Sequence, residues 1–450
     1  MGNPRRILSA FAALLGGLLL FSNPAPARVR QTNEEYQARR ANLRAQVDGP
    51  VVLFGYTGHE DSSALARFFQ EENFYYLTGH NEPGAALLLI PNPPSDKTVG
   101  GPREILFLPP RNAFQERWGG TKLGPDDADI LKETGFAAVE PFANLRGELE
   151  KLGKVFPNLY TLLPGSNDEG YPHNRIWSDW LKEAAPQAHF KDAMLELAAM
   201  RQVKSPSEIA LLQKAVDVSV DAHFDAWKRM RPGLYEYQVA ARMEYIHQWG
   251  GCDREAYAPI VGAGIHSTML HYDELSAQIK DGDIVVMDVA GEYGGYAADI
   301  TRTLPANGKF TPRQREIYEI VLGAQNAALA LVKPGVSVAR LNQVARDYIN
   351  THGKDLHGQP LGPYFFHGLS HNLGLDVHDP GVSGRALEPG MVITIEPGIY
   401  IAEEKLGVRI EDDVLVTREG YQLLTGRLPR DIEGIERMIA EGRRNPPTEP

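Results

Sequence analysis

Residues 284–304 read Ile284-Val-Val-Met-Asp-Val-Ala-Gly-Glu-Tyr-Gly-Gly-Tyr-Ala-Ala-Asp-Ile-Thr-Arg-Thr-Leu304 and decide the fold of the C-terminal half. Apolar residues are frequent on both sides of Gly294-Gly295, a dipeptide that favours a two-residue hairpin turn. The stretch therefore predicts two antiparallel strands, Ile284–Tyr293 and Tyr296–Leu304.

The register of this predicted hairpin brings two acids together. If the turn sets the pairing, Tyr293 faces Tyr296 and Asp288 faces Thr301. Asp299 then lies diagonally from Asp288 on the same face, about 7–8 Å away at the backbone. We therefore expect both carboxylates to reach one site.

Two more acids occupy similar places further along the chain. Residues 392–395 form an apolar run that ends in Glu396, as residues 284–287 end in Asp288. Around residue 410 apolar and polar residues alternate, which places Arg409 and Glu411 on a common strand face. Burying such carboxylates costs several kcal/mol unless they are paired or bind metal. Four matched acids thus indicate a functional site rather than a solvated surface.

The two halves that carry these acids share an order of elements. Helices are predicted over 206–230 and 312–332, and each begins at a capping box with proline at the first helical position. Matched positions are separated by 106, 102 and 108 residues (206 to 312, 232 to 334, 288 to 396). The pattern predicts one α+β catalytic domain with an internal pseudo-twofold repeat.

The N-terminal half reads as a separate α/β domain. Buried strands are predicted at 51–55, 85–91 and 104–109, and helices at 126–134 and 145–152. The aromatic run Phe74–Tyr76 is also typical of a strand core. We predict domains over 28–200 and 201–450, after a leader over 1–27.

Histidines cluster near the second pair of acids. His367, His371 and His378 fall within one short segment, and His271 precedes the first hairpin. One histidine with four carboxylates makes an oxygen-rich site that suits Mn²⁺ and tolerates Zn²⁺, Fe²⁺ or Co²⁺. Two such ions activate a shared water and stabilise the oxyanion that it forms.

Five segments resemble those of the pita-bread metallopeptidases, which include methionine aminopeptidases, prolidases and aminopeptidase P. They are Met287-Asp-Val-Ala-Gly-Glu-Tyr, Ala298-Asp-Ile-Thr-Arg, His367-Gly-Leu-Ser-His, Ile395-Glu-Pro-Gly and Arg409-Ile-Glu-Asp-Asp. The segment Phe74-Tyr-Tyr-Leu-Thr-Gly-His-Asn-Glu-Pro83 is similar to one in the N-terminal domain of aminopeptidase P. The likeness covers nearly all of the chain after residue 27, and it favours aminopeptidase P.

The resemblance implies two divalent metal ions, with Mn²⁺ the first expectation, and assigns a role to each acid and histidine. Asp288 would bind one ion, His371 and Glu396 the other, and Asp299 and Glu411 would bridge both.

The remaining residues would act on the substrate. His271, His367 and His378 would line the substrate side, Arg409 would hold acidic groups in place, and Glu396 would also move a proton.

The implied activity is hydrolysis of the bond between an N-terminal residue and a penultimate proline, by attack of a metal-bridging hydroxide. Peptides of that kind are then the expected partners, and a homo-oligomer is expected. A prolidase, which accepts only dipeptides, is the nearest alternative. A catalytically inactive binding module is an alternative of another class, and it would require lost ligands.

The net charge and the N-terminal segment predict which partners the protein has and where in the cell it is found. A net charge of -12 argues against nucleic acid as a partner. Arg5 and Arg6, the apolar run 7–21 and small residues up to Ala27 predict a signal peptide and export to the periplasm or medium. The apolar run is short for a membrane span, so no membrane association is expected after cleavage.

Overall fold

The computed structural model describes residues 29–60, 66–93, 99–101, 103–165 and 172–446. The predicted signal peptide lies outside these ranges. Within them, no helix combines the length and apolar character needed to cross a membrane. The chain from Gln31 onwards forms one compact unit.

A mixed six-stranded sheet organises the N-terminal part, in the order β4-β3-β2-β1-β5-β6. Its strands are β1 (Val51–Phe54), β2 (Ala86–Leu89), β3 (Glu104–Leu108), β4 (Ala138–Pro141), β5 (Asn158–Thr161) and β6 (His189–Asp192). Side chains alternate between two apolar clusters: Val51 and Leu53 enter the main core, whereas Val52 and Phe54 enter a second one. This alternation follows the two-residue period of a strand and confirms the three strands predicted here.

Seven helices accompany this sheet in the part of the chain that the structure describes. They are α1 (Asn33–Gln46), α2 (Glu72–Thr78), α3 (Ala113–Gly119), α4 (Ile130–Thr134), α5 (Leu145–Leu152), α6 (His173–Ala184) and α7 (Met194–Gln202). The strand expected at Phe74–Tyr76 is wrong, because these residues belong to α2. The Glu71 side chain caps the start of α2 and Gly79 ends it at φ +62°, so capping overrides the strand preference of the aromatics.

The C-terminal part contains two pairs of contacting helices and a final one. They are α8 (Pro206–Arg229), α9 (Glu236–Trp249), α10 (Pro312–Leu329), α11 (Val338–His352) and α12 (Ile432–Arg444). Both predicted capping boxes are present, at Ser205 and at Thr311. The two pairs follow the predicted order of elements, and the pseudo-twofold relation itself stays a prediction.

Short antiparallel sheets carry the acidic segments. The first half supplies β7 (Arg254–Glu255), β8 (Ile260–Ala263), β9 (Ile284–Asp288), β10 (Gly291–Tyr293), β11 (Tyr296–Ala297) and β12 (Thr301–Pro305). The second half supplies β13 (Val392–Ile395), β14 (Gly398–Ile401), β15 (Leu406–Arg409), β16 (Asp412–Val416) and β17 (Tyr421–Leu423). Their sheet orders are β11-β10-β7, β12-β9-β8, β13-β16-β17 and β14-β15.

The predicted register of the first hairpin is confirmed. Tyr293 pairs with Tyr296, and Asp288 pairs with Thr301. The prediction of two continuous strands is wrong, because the chain changes partners after Asp288. The Ala256 amide donates to Ala290 O, and Gly291 pairs with the strand β7. The hairpin therefore spans two sheets, and its acids lie near the point where they divide.

Candidate active site

One cavity of about 460 Å³ gathers every site residue predicted from the sequence. These residues are His271, Asp288, Asp299, His367, His371, His378, Glu396, Arg409 and Glu411. Leu270, Gly368 and Ser370 complete the lining. Residues from both acidic segments and from the histidine segment thus face one space.

The ends of strands place the acids at this cavity. Asp288 is the last residue of β9, and Asp299 precedes β12. Glu396 follows β13 directly, and Glu411 lies between β15 and β16. The apolar runs that precede Asp288 and Glu396 are buried in the core, so the strands hold these carboxylates in fixed positions.

Three residues form the tightest group of ligand atoms in the described part of the chain. Asp299, His371 and Glu411 each offer one ligand atom, and these atoms all lie within 4.8 Å of one another. His371 Nε2 is 3.3 Å from Asp299 Oδ2 and 3.5 Å from Glu396 Oε1. The other ring nitrogen, Nδ1, is 3.1 Å from Asn372 O, which leaves Nε2 facing the acids.

Asp288 lies on the same cavity but is bound by protein donors. Tyr257 donates its hydroxyl to Asp288 Oδ1 at 2.6 Å, and Arg409 Nη2 donates to Oδ2 at 2.6 Å. Burial raises the pKa of Asp288, and the Arg409 guanidinium opposes that effect.

The negative charges of Asp299, Glu396 and Glu411 are not balanced by the neighbouring protein groups. Burial, and then repulsion by Asp299, raises the pKa of Glu411 well above its ordinary value. Burial also raises the pKa of Glu396 to about 7, although His371 opposes the shift. Burial alone would lower the pKa of His371, but Asp299 and Glu396 raise it to about 9. Such mutual repulsion indicates a place for added positive charge.

The donor set fits divalent metal ions. Carboxylate oxygens with one imidazole suit ions such as Mn²⁺ or Zn²⁺, and a cation here would offset the repulsion among Asp299, Glu396 and Glu411. The backbone supports the same arrangement, because the Asn372 carbonyl holds the His371 ring as ligand-supporting groups usually do.

Two histidines on the wall of the cavity have lowered pKa values, which favours the neutral form of each ring. Burial lowers the pKa of His367 to about 4, and its Nε2 is 2.9 Å from the Tyr400 hydroxyl. Burial, and then the charge of His371, lowers the pKa of His378. A neutral imidazole has one N–H donor. His367 uses its donor on the Gly368 carbonyl, 2.8 Å from Nδ1, and its Nε2 then accepts from the Tyr400 hydroxyl, whereas His378 can offer its donor to a ligand.

Several supporting residues were not identified from the sequence. Tyr257 binds Asp288, and Tyr400 receives a 3.0 Å hydrogen bond from Arg409 Nη1. Thr301 donates to Glu411 Oε2 at 2.6 Å, and Asp413 Oδ2 accepts from the Asp299 amide at 3.1 Å. Thr301 and Asp413 lie in sequence segments that already drew attention through their acids, so the sequence offered some indication of them. Tyr257 and Tyr400 stand in a loop and an apolar strand, and no sequence pattern marks them.

Two family models match the chain in series. Residues 36–160 match the N-terminal domain of aminopeptidase P, and residues 210–418 match metallopeptidase family M24. The second match contains all nine predicted site residues.

Whole-chain comparisons agree. The chain is 37% identical to the Xaa-Pro aminopeptidase of Haemophilus influenzae over 90% of its own length and 97% of that protein. It is 34% identical, with a TM-score of 0.82, to the Pseudomonas aeruginosa aminopeptidase PepP, covering 93% of this chain and 100% of that one. The structure of Escherichia coli aminopeptidase P with the inhibitor Pro-Leu gives 33% identity, a TM-score of 0.81 and the same coverage. The chain therefore belongs to the Xaa-Pro aminopeptidases of metallopeptidase family M24.

Proposed function

We propose that this chain removes the N-terminal residue from peptides whose second residue is proline. The observation that carries the proposal is the single cavity where Asp299, His371 and Glu411 converge beside Glu396. The names of its relatives and the Pro-Leu inhibitor of the Escherichia coli enzyme supply the substrate class. Family membership supplies the metallopeptidase chemistry.

Five residues would hold two divalent ions. They are Asp288, Asp299, His371, Glu396 and Glu411. When bound, such ions lower the pKa of a water molecule and stabilise negative charge on the carbonyl oxygen. We propose Mn²⁺ as the native ion because the set is rich in carboxylates.

Glu396 is the residue suited to move the proton. It borders the cavity at the end of β13, and its Oε1 and Oε2 lie within reach of two imidazoles, those of His371 and His367. A carboxylate placed there would accept the proton of the attacking water and return it to the prolyl nitrogen. That nitrogen carries no hydrogen in the peptide, so it needs this proton to leave as an amine.

Histidines on the wall would orient the substrate. His378 would donate a hydrogen bond to the scissile carbonyl oxygen and so stabilise its developing charge. His367, fixed by Tyr400 and by the Gly368 carbonyl, and His271 would border the residues on either side of the bond.

A peptide panel tests the proposal. Purified protein, stripped of metal and then supplied with Mn²⁺, Zn²⁺, Co²⁺ or buffer, is assayed on Xaa-Pro-Yaa, Xaa-Ala-Yaa and Xaa-Pro peptides. We expect metal-dependent release of Xaa from Xaa-Pro-Yaa alone, or at least 100-fold faster than from Xaa-Ala-Yaa, a difference of about 2.7 kcal/mol. Cleavage of only the dipeptide would identify a prolidase, and no cleavage of either would refute the proposal.

We also propose that the chain is exported and forms a homo-oligomer. The predicted leader over 1–27 supports export, and N-terminal sequencing of protein recovered outside the cytoplasm would test the cleavage after Ala27. Light scattering of the purified protein would measure its assembly state.

A further inference from the structure

A buried arginine joins the N-terminal part of the chain to the loop that carries His378. Arg201 is 2% exposed and follows shortly after the sheet strand β6. Its Nη1 donates to Asn73 Oδ1 on α2 at 2.8 Å. Its Nη2 donates to Asp376 Oδ2 and to Asp379 Oδ1, each at 2.6 Å. One guanidinium thus connects Asn73 of α2 to two aspartates, which lie before and after His378 in the chain.

The loop 372–379 is closed at the same point. The Asp379 amide donates to Asn372 O at 3.0 Å, and Lys204 Nζ donates to Asp379 Oδ2 at 3.0 Å. The Gly374 carbonyl accepts a 2.9 Å hydrogen bond from the Ala297 amide, next to the acidic hairpin. His378 directly precedes Asp379, so the anchor of the loop is the neighbour of the proposed oxyanion donor.

The charges at this anchor are compensated by each other. Burial alone would raise the pKa of Asp379, but Lys204 and Arg201 hold it below its ordinary value. Two of the guanidinium nitrogens, Nη1 and Nη2, are hydrogen-bonded, whereas the buried Nε has no partner. The planar, forked group fixes direction as well as charge. A lysine at position 201 would keep the charge but could not span Asn73 and both aspartates.

We propose that Arg201 is a positioning residue, through which Asn73 of α2 sets the placement of His378 on the wall of the cavity. The inference rests on the proposed function of His378 as a donor to the scissile carbonyl. It assigns a task to the N-terminal part of the chain, whose described residues contribute no side chain to the lining of the cavity.

Variants that displace His378 should lower the turnover number. Asn73→Ala removes one of the three acceptors of Arg201, and Arg201→Lys removes the fork. Displacement of a catalytic group by about 1 Å can cost about 100-fold in rate. We expect kcat to fall about threefold to tenfold in Asn73→Ala and about tenfold to 100-fold in Arg201→Lys, with KM and metal content little changed.

Ser207→Ala is the matched control. Ser207 also links the two parts of the chain, through a hydrogen bond to Glu35 of α1. Its described side-chain hydrogen bonds go to Glu35 and Ser205 and not to the loop 372–379. This variant should lose stability to a similar extent as Asn73→Ala, and it should retain kcat.

A double-mutant cycle separates positioning from general destabilisation. In a His378→Ala background, Asn73→Ala should lower kcat by less than twofold, because the group it positions is gone. An undiminished effect of Asn73→Ala in that background would overturn the inference. So would equal losses of kcat in Asn73→Ala and Ser207→Ala.

A second readout does not depend on catalysis. In protein with ¹³C-labelled histidine, the ring signal that disappears in His378→Ala is assigned to His378. That signal should shift or broaden in Asn73→Ala and Arg201→Lys but not in Ser207→Ala. An unchanged signal in all variants refutes the positioning role, whereas failure of the wild type to cleave any Xaa-Pro-Yaa peptide refutes only the proposed function.

Discussion

The rings of His371 and His378, seven positions apart in the chain, lie 4.3 Å apart in an edge-to-face arrangement. His371 Nε2 faces Asp299 and Glu396. No ion pair to an acid is formed by His378 in the described structure. This difference supports the proposed roles, His371 as a metal ligand and His378 as a donor to the substrate.

His378→Ala is expected to separate chemistry from metal binding. Loss of one oxyanion donor should lower kcat by about 10²–10³, while both ions remain bound because the ligand set is untouched. Steady-state kinetics and elemental analysis of the same preparation measure the two effects. Loss of metal from this variant would show that His378 is a ligand, contrary to the role proposed here.

Asp299→Ala and Glu411→Ala should abolish turnover. Each removes a member of the tightest ligand group, and each of these carboxylates would help to hold both ions. Peptide cleavage and metal content should fall together, and added Mn²⁺ should not restore them. Glu319→Gln, at an exposed acid of α10, is the control and should behave as the wild type.

Chelation should inactivate the wild type reversibly. The carboxylates repel one another without added positive charge, which favours rebinding of a metal ion. The metal-free protein should remain folded, but it should lack the means to activate water. Activity after removal of the chelator and addition of Mn²⁺ checks recovery. Full activity of rigorously metal-free protein would contradict the two-metal proposal.

Glu396→Gln should nearly eliminate cleavage while substrate still binds. The amide keeps the shape of the side chain but cannot carry a proton to the prolyl nitrogen, a loss of about 10²–10⁴ in rate. Isothermal titration with a slowly cleaved Xaa-Pro-Yaa peptide measures binding, and single-turnover assays measure chemistry. Because Glu396 is also a proposed ligand, metal content is measured in parallel; a variant that keeps both ions and full kcat would exclude Glu396 as the proton carrier.

His223 should make the fold more sensitive to acid. This histidine is fully buried with Nε2 3.1 Å from Val289 O, and burial, together with the Arg302 cation, lowers its pKa to about 3. In the unfolded chain the imidazole takes up a proton near pH 6.5, whereas in the folded chain it stays neutral down to about pH 3. Its contribution is therefore fully present above about pH 6.5, and it is lost as the pH falls, by about 1.4 kcal/mol per pH unit.

The variant His223→Gln tests this sign. Its amide can still donate to Val289 O, but it does not titrate. The free energy of unfolding, from urea titrations between about pH 7 and pH 5, should fall less steeply for this variant than for the wild type. His352→Gln changes an exposed histidine and serves as the control; an equal slope in His223→Gln and the wild type would contradict the prediction.

Local rules predicted the acidic hairpin because its determinants are local. A Gly-Gly turn sets the pairing of the strands, and the two-residue side-chain period then sets which acids share a face. Capping boxes at Ser205 and Thr311 predicted two helix starts for the same reason. At Phe74–Tyr76 the aromatic preference predicted the wrong element, because the cap at Glu71 and the left-handed Gly79 favour a short helix there.

Supporting contacts escaped prediction because they join distant positions. Tyr257 meets Asp288 and Arg201 meets Asp379 only after the sheets and helices have packed, and no periodicity marks either residue. The gathering of all nine candidate residues on one cavity is likewise a tertiary fact. The sequence identified these residues as candidates, but only the folded structure shows that they line one cavity.

The Gly294-Gly295 turn limits how this chain can vary in length. Hairpin turns usually accept inserted residues, since they project into solvent. Here Gly295 has φ +85°, and a side chain placed on it would press against Tyr75 at 3.3 Å and Leu375 at 3.4 Å. The turn is enclosed by α2 and by the loop of His378, so an insertion would displace both. Across evolution, insertions and deletions should accumulate at other surface loops, and the spacing between Asp288 and Asp299 should stay constant.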